Sequence, residues 1–327
     1  MPNVFMKQIL MRSLFVSAVV LLAISSLSKF AWNPYLEILS HFQTQYLVVG
    51  AILTVLLAVQ RHKLGLSIGA ICLAILLAEI LPWYIPPAWT QANPEPNLRI
   101  LLSNVYVVNR SYDKVLDLVK AENPDIAVFQ EVNQVWAEQL RSLQSTFPYI
   151  LQTPDDITIY SKRPFQSPAM FGNPDKPSLA AKLIVNQQPI TLVTTHPLPP
   201  KPNLFDARNA QLADVSQYIQ SQKTPIVLIG DLNTSMWSPY YRQLIQETGL
   251  RNSRQGFQLL PTWPVVSQYG RIPGFFAPLA MMVRIPLDHC LTSPTIQTAG
   301  IRVGESVESD HLPLITDLWI PPRSDLP

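Results

Sequence analysis

Cysteine is nearly absent from the 327 residues: Cys72 sits in an apolar stretch and Cys290 lies far downstream, with no CxxC or Cys/His spacing at either. Two thiols so placed exclude a disulfide framework and a structural zinc site, so the fold stands on its core. Charge is also scarce, at 14% Asp, Glu, Lys and Arg against about 25% in an average soluble domain. Together with 48% hydrophobic residues, this excludes a disordered chain and argues against a uniformly soluble one. Neither sign dominates: 24 Lys+Arg face 22 Asp+Glu, a net charge of +2. No broad electrostatic footprint for a polyanion is therefore visible. Repeats, low-complexity tracts and coiled-coil heptads are missing too, and the length suggests roughly two domains of about 100–200 residues each.

What the chain has instead is apolar runs, at Ile9–Ser28, Tyr46–Gln60 and Leu64–Ile85. The first and third are long enough to cross about 30 Å of hydrocarbon, and the second reaches that length if its start is taken near His41. The simplest count is a bundle of three transmembrane helices within residues 1–85. Lys7, Arg12, Arg61 and Lys63 fall on one side of such a bundle and Lys29 alone on the other. By the positive-inside rule the N-terminus is then cytoplasmic. Everything after Ile85 lies on the exoplasmic or periplasmic side of a plasma or inner membrane, in a multi-pass protein. A cleaved signal peptide is the rival reading of the first run, but no Ala-x-Ala site is clear and the two later runs need an anchor partner in any case. Glu79, near the outer end of the third run, is expected to be snorkelling or paired and receives no role. Residues 86–96 close a stretch of five prolines, two tryptophans and one tyrosine that starts at Pro82. It suits an interfacial aromatic belt followed by a stiff polyproline linker.

From Asn97 to Pro327 there are 19 Lys+Arg and 19 Asp+Glu, so this outer domain (97–327) is neutral. Its apolar runs predict strands at Leu98–Asn104, Ile126–Glu131, Asp156–Ser161, Ala180–Val185, Ile190–Thr195, Ile226–Gly230, Leu287–Ser293 and Leu314–Trp319. Periodic spacing predicts helices at Asp113–Glu122, Phe205–Ser221 and Tyr240–Thr248. Strands and helices interleave, as in an α/β layered domain with two packed sheets.

Polar residues gather at the strand ends. Asn104, Glu131, His196 and Asp231 each follow an apolar run. Carboxylates on such rigid supports can be held together if a cation neutralises them. For Glu131 alone, a salt bridge to a nearby Lys or Arg is the plain alternative. Asp231 and Asn233 alternate onto one side of an extended segment, with Gly230 permitting close backbone approach and Thr234, Ser235 and Pro239 opening the next helix. Asp310-His311 precedes the last strand and Asp288-His289 starts another. In such pairs a carboxylate orients an imidazole and raises its basicity.

The ordered series Asn104, Glu131, Ser161-Lys-Arg-Pro164, His196, Gly-Asp231-Leu-Asn233, Asp288 and Ser-Asp310-His311 resembles the endonuclease/exonuclease/phosphatase superfamily over Asn97 to about Ile320. The resemblance implies a four-layer α/β sandwich, two packed mixed β-sheets flanked by helices, and cleavage of phosphate esters with Mg²⁺, or Mn²⁺, as cofactor. It implies metal ligation by Glu131, with Asn104 and Asp310 close by. It further implies that Asp231 orients or deprotonates the attacking water and Asn233 holds a phosphate oxygen. His311, paired with Asp288, becomes a general base or stabilises the pentacovalent phosphorus, and His196 contacts the phosphate or leaving group. One departure is Tyr106, two positions after Asn104, where many relatives carry a polar residue; one metal or two stays open. Arg208 suits either a phosphate contact or a helix-surface salt bridge.

The expected partners are the lipid bilayer and a phosphate-ester substrate, nucleic acid or phospholipid. A neutral domain argues against tight duplex binding without excluding a weak nuclease. The segment Leu259–Ile285 carries Trp263, Tyr269, Phe275, Phe276, Met281 and Met282 with little charge. It suits a loop dipping into lipid, a core-packed insertion or a contact with the transmembrane helices. Two alternatives to a phosphodiesterase stand: a phosphomonoesterase acting on a soluble polyphosphate, for which no Lys/Arg run is present, and a non-catalytic binding module retaining the fold.

Overall fold

A computed structural model describes all residues except 1, 31–32, 88–94, 271 and 324–327. Most of the expected 86–96 linker thus lies outside the described residues. The N-terminal part holds α1 (Pro2–Leu27), α2 (Pro34–Ser40), α3 (Gln43–Val59) and α4 (Lys63–Ile80). Two stretches, Gln8–Leu27 and Lys63–Trp83, are long and apolar enough to cross a membrane; α2 and α3 pass only as a pair bent by 68°. The expected count of three is therefore two, or three with the bent pair as one span. Asn33 caps α2 by accepting from Leu36 N at 3.0 Å, and Pro34 occupies its first turn; both favour a fresh helix start here over continuation from α1. Helices α1, α3 and α4 pack on one another. Small residues let them close in: a Cβ at Gly69 would collide with Thr54 of α3.

The rest is built on two six-stranded sheets. The first contains β1 (Leu98–Asn104), β2 (Ile126–Val132), β3 (Tyr149–Gln152) and β4 (Asp156–Ser161), joined by β11 (Gln297–Val303) and β12 (Leu314–Trp319) in the order β11-β12-β1-β2-β4-β3. The second contains β5 (Gln166–Phe171), β6 (Ser178–Val185), β7 (Gln188–Thr194), β8 (Ile226–Asp231), β9 (Arg251–Asn252) and β10 (Asp288–Thr292), in the order β5-β6-β7-β8-β10-β9. Each sheet has one parallel pair at its centre, β1 with β2 and β7 with β8, and antiparallel neighbours around it. Helices α5 (Tyr112–Glu122) and α6 (Gln134–Leu140) cover the first sheet, and α7 (Phe205–Gln220) and α8 (Pro239–Thr248) the second. A short α9 (Ala277–Met282) lies in the long segment before β10.

The two-residue period of a strand accounts for this layering. In β1, Leu98, Ile100 and Leu102 enter the core between the sheets while Leu101 meets the helix side. In β2, Ile126 and Val128 face inward and Ala127 and Phe129 outward. In β8, Val227 and Ile229 face the other sheet and Ile226 and Leu228 face α7 and α8. Strands buried on both faces need continuous apolar runs, which is why these were visible in the sequence. Ile80 of α4 is buried in the same cluster as Leu212, Val215 and Trp237, with Leu47 and Trp83 packed against it. Trp83 O also accepts from Gly256 N and Gln258 N at 3.1 and 2.8 Å. The N-terminal helices are thus packed onto the α/β layers.

Candidate active site

The two parallel pairs point their C-terminal ends at one place. Register sets Asp288 of β10 directly opposite Asp231 of β8, so the start of one antiparallel strand meets the end of its neighbour. Across the sandwich, Gln130 of β2 stitches the sheets together: its Nε2 donates to Thr195 O at 2.8 Å and its Oε1 accepts from Asp231 N at 2.8 Å. Gly230 permits this approach, since a Cβ there would collide with Thr195 O. Next along β2 the ladder with β4 is broken by a bulge between Phe129 and Val132. Glu131 adopts φ 61° there, and Asn233 and Tyr106 are likewise left-handed at 49° and 61°. Non-glycine residues held this way cost about 1–3 kcal/mol each and persist only where the surroundings over-determine them.

Asp231 is the centre of the cluster. Its Oδ1 accepts from Asn233 N at 2.8 Å. Its Oδ2 has Asn104 Nδ2 at 3.4 Å, His196 Nε2 at 3.6 Å and His311 Nε2 at 3.6 Å. At these separations neither imidazole makes a direct hydrogen bond to Asp231. Each is oriented by a carboxylate from behind: Asp288 Oδ2 is 2.8 Å from His311 Nδ1, and Asp156 Oδ1 is 2.7 Å from His196 Nδ1. Burial opposes charge on His311, but Asp288 and Asp231 overcome it and hold its pKa up at about 10. For His196 burial also opposes charge, and Asp156 raises its pKa. Asp231 shifts the other way from an ordinary carboxyl: burial pushes its pKa up, and Asp288 adds to that against the pull of His311.

Glu131 and Asp310 make a second acidic group. Glu131 Oε1 accepts from Asn104 Nδ2 at 3.0 Å and its Oε2 from Val107 N at 3.1 Å. Asp310 Oδ1 is buried with no hydrogen-bond partner among the described residues; burial and the nearby Glu131 both raise its pKa. Oxygen donors held close against their own repulsion suit a hard divalent cation. Asp231, Asp288 and His311 also lie close enough to share an ion. In that trio His311 Nδ1 is engaged by Asp288. Asn104 turns its amide nitrogen to the carboxylates and its oxygen to Tyr106 N at 3.0 Å. It thereby acts as a donor that holds Glu131 in position. Asn233 Nδ2 donates to Pro197 O at 2.9 Å, which ties the loop after β8 to the loop after β7.

All eight residues singled out in the sequence come to this one end of the sandwich. His289 does not join them: its Nε2 faces Thr234 O at 2.9 Å, and burial beside Arg254 lowers its pKa to about 3, so it packs as a neutral core residue. Arg208 does not reach the site either. It is fully buried and ion-pairs with Glu37 of α2. Glu37 also accepts from Ser238 Oγ at 2.7 Å, and His41 hydrogen-bonds Ser235 Oγ at 2.9 Å. The helix that follows α1 therefore braces the loop that carries Asp231 and Asn233. Glu79 is paired with Arg242 of α8 at 2.9 Å.

Sequence reasoning missed Gln130, Asp156 and Glu37. Only the polar pair Asp155-Asp156 at the start of a predicted strand, and a Glu in a sparsely charged N-terminal part, were available as signals. A cavity of about 610 Å³ opens over the cluster, lined by Glu131, Asp231, Asn233, Asp310 and His311 together with apolar residues.

Residues 101–311 match the family model described as Endonuclease/Exonuclease/phosphatase family. Among solved structures, TDP2 of D. rerio complexed with single strand DNA product superposes with TM-score 0.57 at 15% identity, over 68% of this chain and 98% of that one. The human Nocturnin catalytic domain gives 0.55 at 16% identity over 70% and 97%. The beta toxin of Staphylococcus aureus gives 0.51 at 16% over 68% and 100%. At these identities the likeness shows the fold. No curated protein sequence matches the chain.

Proposed function

Because the chain belongs to the Endonuclease/Exonuclease/phosphatase family, we propose that it is a membrane-anchored, divalent-metal-dependent phosphoesterase that hydrolyses phosphodiester bonds. The observation that carries this reading is Asp231 Oδ2 flanked by two carboxylate-oriented imidazoles, with Glu131 and Asp310 beside it. Glu131 and Asp310 would hold Mg²⁺ or Mn²⁺, whose charge would offset that of the phosphoryl group. Asp231, whose pKa burial raises, orients the water and takes its proton as the water oxygen bonds to phosphorus. His311, kept charged by Asp288, donates to a phosphoryl oxygen and stabilises its growing charge. His196, held by Asp156, returns a proton to the leaving oxygen as the phosphorus–oxygen ester bond breaks. Tying Asn233 to Pro197 O keeps both loops in place for these contacts.

The full-length protein in detergent, given bis(p-nitrophenyl) phosphate, tests this. We expect turnover with Mg²⁺ or Mn²⁺, none with EDTA, and about 10²–10⁴-fold less in Asp231→Asn. A folded protein without metal-dependent turnover on this or any phosphate ester would favour the non-catalytic binding module instead.

A multi-pass topology with the α/β part on the exoplasmic or periplasmic side completes the proposal. Four Lys/Arg against one support the orientation. Three crossings are supported by α2 lying on the α/β part, through Glu37, while α4 enters it through Ile80 and Trp83. A C-terminal alkaline phosphatase fusion should be active; activity of a cytoplasmic reporter at the same position would reverse the orientation.

A further inference from the structure

We infer, resting on the phosphoesterase reading above, that the ester cleaved at this site is a membrane phospholipid. Its phosphate lies over Asp231 and His311 and its apolar part between the α2–α3 elbow and the segment 259–285.

The polar cluster makes up only part of the cavity lining. Ile38 and Phe42 form part of another wall, and they belong to the elbow that runs directly into α3. Trp263, Val265, Ile272 and Ile285 line it as well, and Trp263 Nε1 also donates to Asp310 Oδ2 at 3.4 Å. A nucleotide or soluble polyphosphate gains little from such walls, whereas every methylene kept out of water favours an amphiphile. Among the described residues, the cations lining the cavity apart from the site's own histidines and His41 are Lys176 and Lys201, and Lys176 lies 3.6 Å from Asp156. A strand of polyanion passing through would need a row of Lys or Arg.

The segment 259–285 also reaches toward the membrane helices. Gln45, in the first turn of α3, donates to Met282 O at 3.0 Å and Arg284 O at 3.2 Å. This pins α9 beside the start of a helix that belongs to a candidate span. At that level the segment turns apolar side chains outward, with Phe275 76% and Met282 68% exposed and Phe276, Leu279 and Met281 among them. An uncharged apolar tip, fixed at the height where the chain enters a span, fits the interfacial region of a bilayer. The cavity wall and the exposed tip thus belong to one segment.

Hydrolysis consumes only water. Cleavage on the glycerol side releases diacylglycerol and a phosphorylated head group; cleavage on the other side leaves phosphatidic acid and the free head-group alcohol. The test uses full-length protein in nanodiscs, assayed for all four products with phosphatidylglycerol or phosphatidylcholine. Bis(p-nitrophenyl) phosphate and a short single-stranded DNA serve as the soluble arms. We expect metal-dependent release from at least one lipid. The Phe275→Ser/Phe276→Ser double variant, at exposed positions away from the reacting groups, should lose about tenfold on lipid while keeping bis(p-nitrophenyl) phosphate turnover within about twofold. Turnover of the soluble diester or of DNA with no lipid product would overturn the inference and leave the phosphoesterase reading standing. Equal losses on both substrates in the double variant would overturn it too, because the tip would then serve only the fold. No turnover of any substrate would remove both readings together.

Discussion

The two sides of the cavity are built in opposite ways. The polar groups come from strand ends and the short loops beyond them: sheet register places Asn104 beside Gln130 and Asp288 opposite Asp231, Glu131 sits in the bulge of β2, and His196 follows β7. The apolar side comes from an N-terminal elbow and a segment more than 200 residues later, joined by side-chain contacts between helices and loops. The first is held by the hydrogen bonds of Gln130 to Thr195 O and Asp231 N and of Asn233 to Pro197 O. The second depends on how the helices α2, α3 and α4 dock on the α/β layers. The polar cluster thus sits on the α/β layers, and part of the apolar lining sits on the docked helices.

The largest effect should come from breaking the polar side. Asp231→Asn removes the base and should lower kcat by about 10²–10⁴-fold, with folding preserved, as read from turnover of bis(p-nitrophenyl) phosphate and a thermal melt. Next comes the brace between the two sides. Arg208→Ala leaves Glu37 charged and buried, at an expected cost of about 3–5 kcal/mol in stability by thermal or denaturant unfolding in detergent. The double change Glu37→Met with Arg208→Met should lose less than the sum of the singles; strict additivity would mean the pair is not coupled. Gly230→Ala pushes a methyl into Thr195 O and should cost about 1–3 kcal/mol, with activity falling as the sheets separate at the site. The smallest effect belongs to the other ion pair linking helices to scaffold. Arg242 and Glu79 are 42% and 28% exposed, so Arg242→Ala should change stability by less than about 1 kcal/mol. An equal loss at Arg242 and Arg208 would contradict the view that the buried contact does the bracing.

The strands that could be read in advance are those buried on both faces. Leu98–Asn104, Asp156–Ser161 and Leu314–Trp319 occur with the expected bounds, and Ile226–Asp231 differs by one residue. The strands that could not be read are edges. Tyr149–Gln152, Gln166–Phe171, Arg251–Asn252 and Gln297–Val303 lie at the four ends of the two sheets, are short or half exposed, and carry no continuous apolar run. The seven-residue α6 is too short to display a helical period. Among site residues, Asp231 and His311 stood out because they interrupt or precede apolar runs. Gln130 and Asp156 did not, because their importance lies in partners 65 to 101 and 25 to 40 residues away.

By itself the sequence determined the alternation of strands and helices, the apolar N-terminal runs and the set of polar residues at strand ends. Each of these is a local property: a two- or four-residue period, or the step from apolar to polar at the end of a run. Only the tertiary structure decided that Asp156 stands behind His196, that Glu37 is buried against Arg208, and that an elbow at Ile38–Phe42 walls the cavity. Those pairings depend on how two sheets and the docked helices close on one another, and contacts between distant segments leave no period in the chain to read.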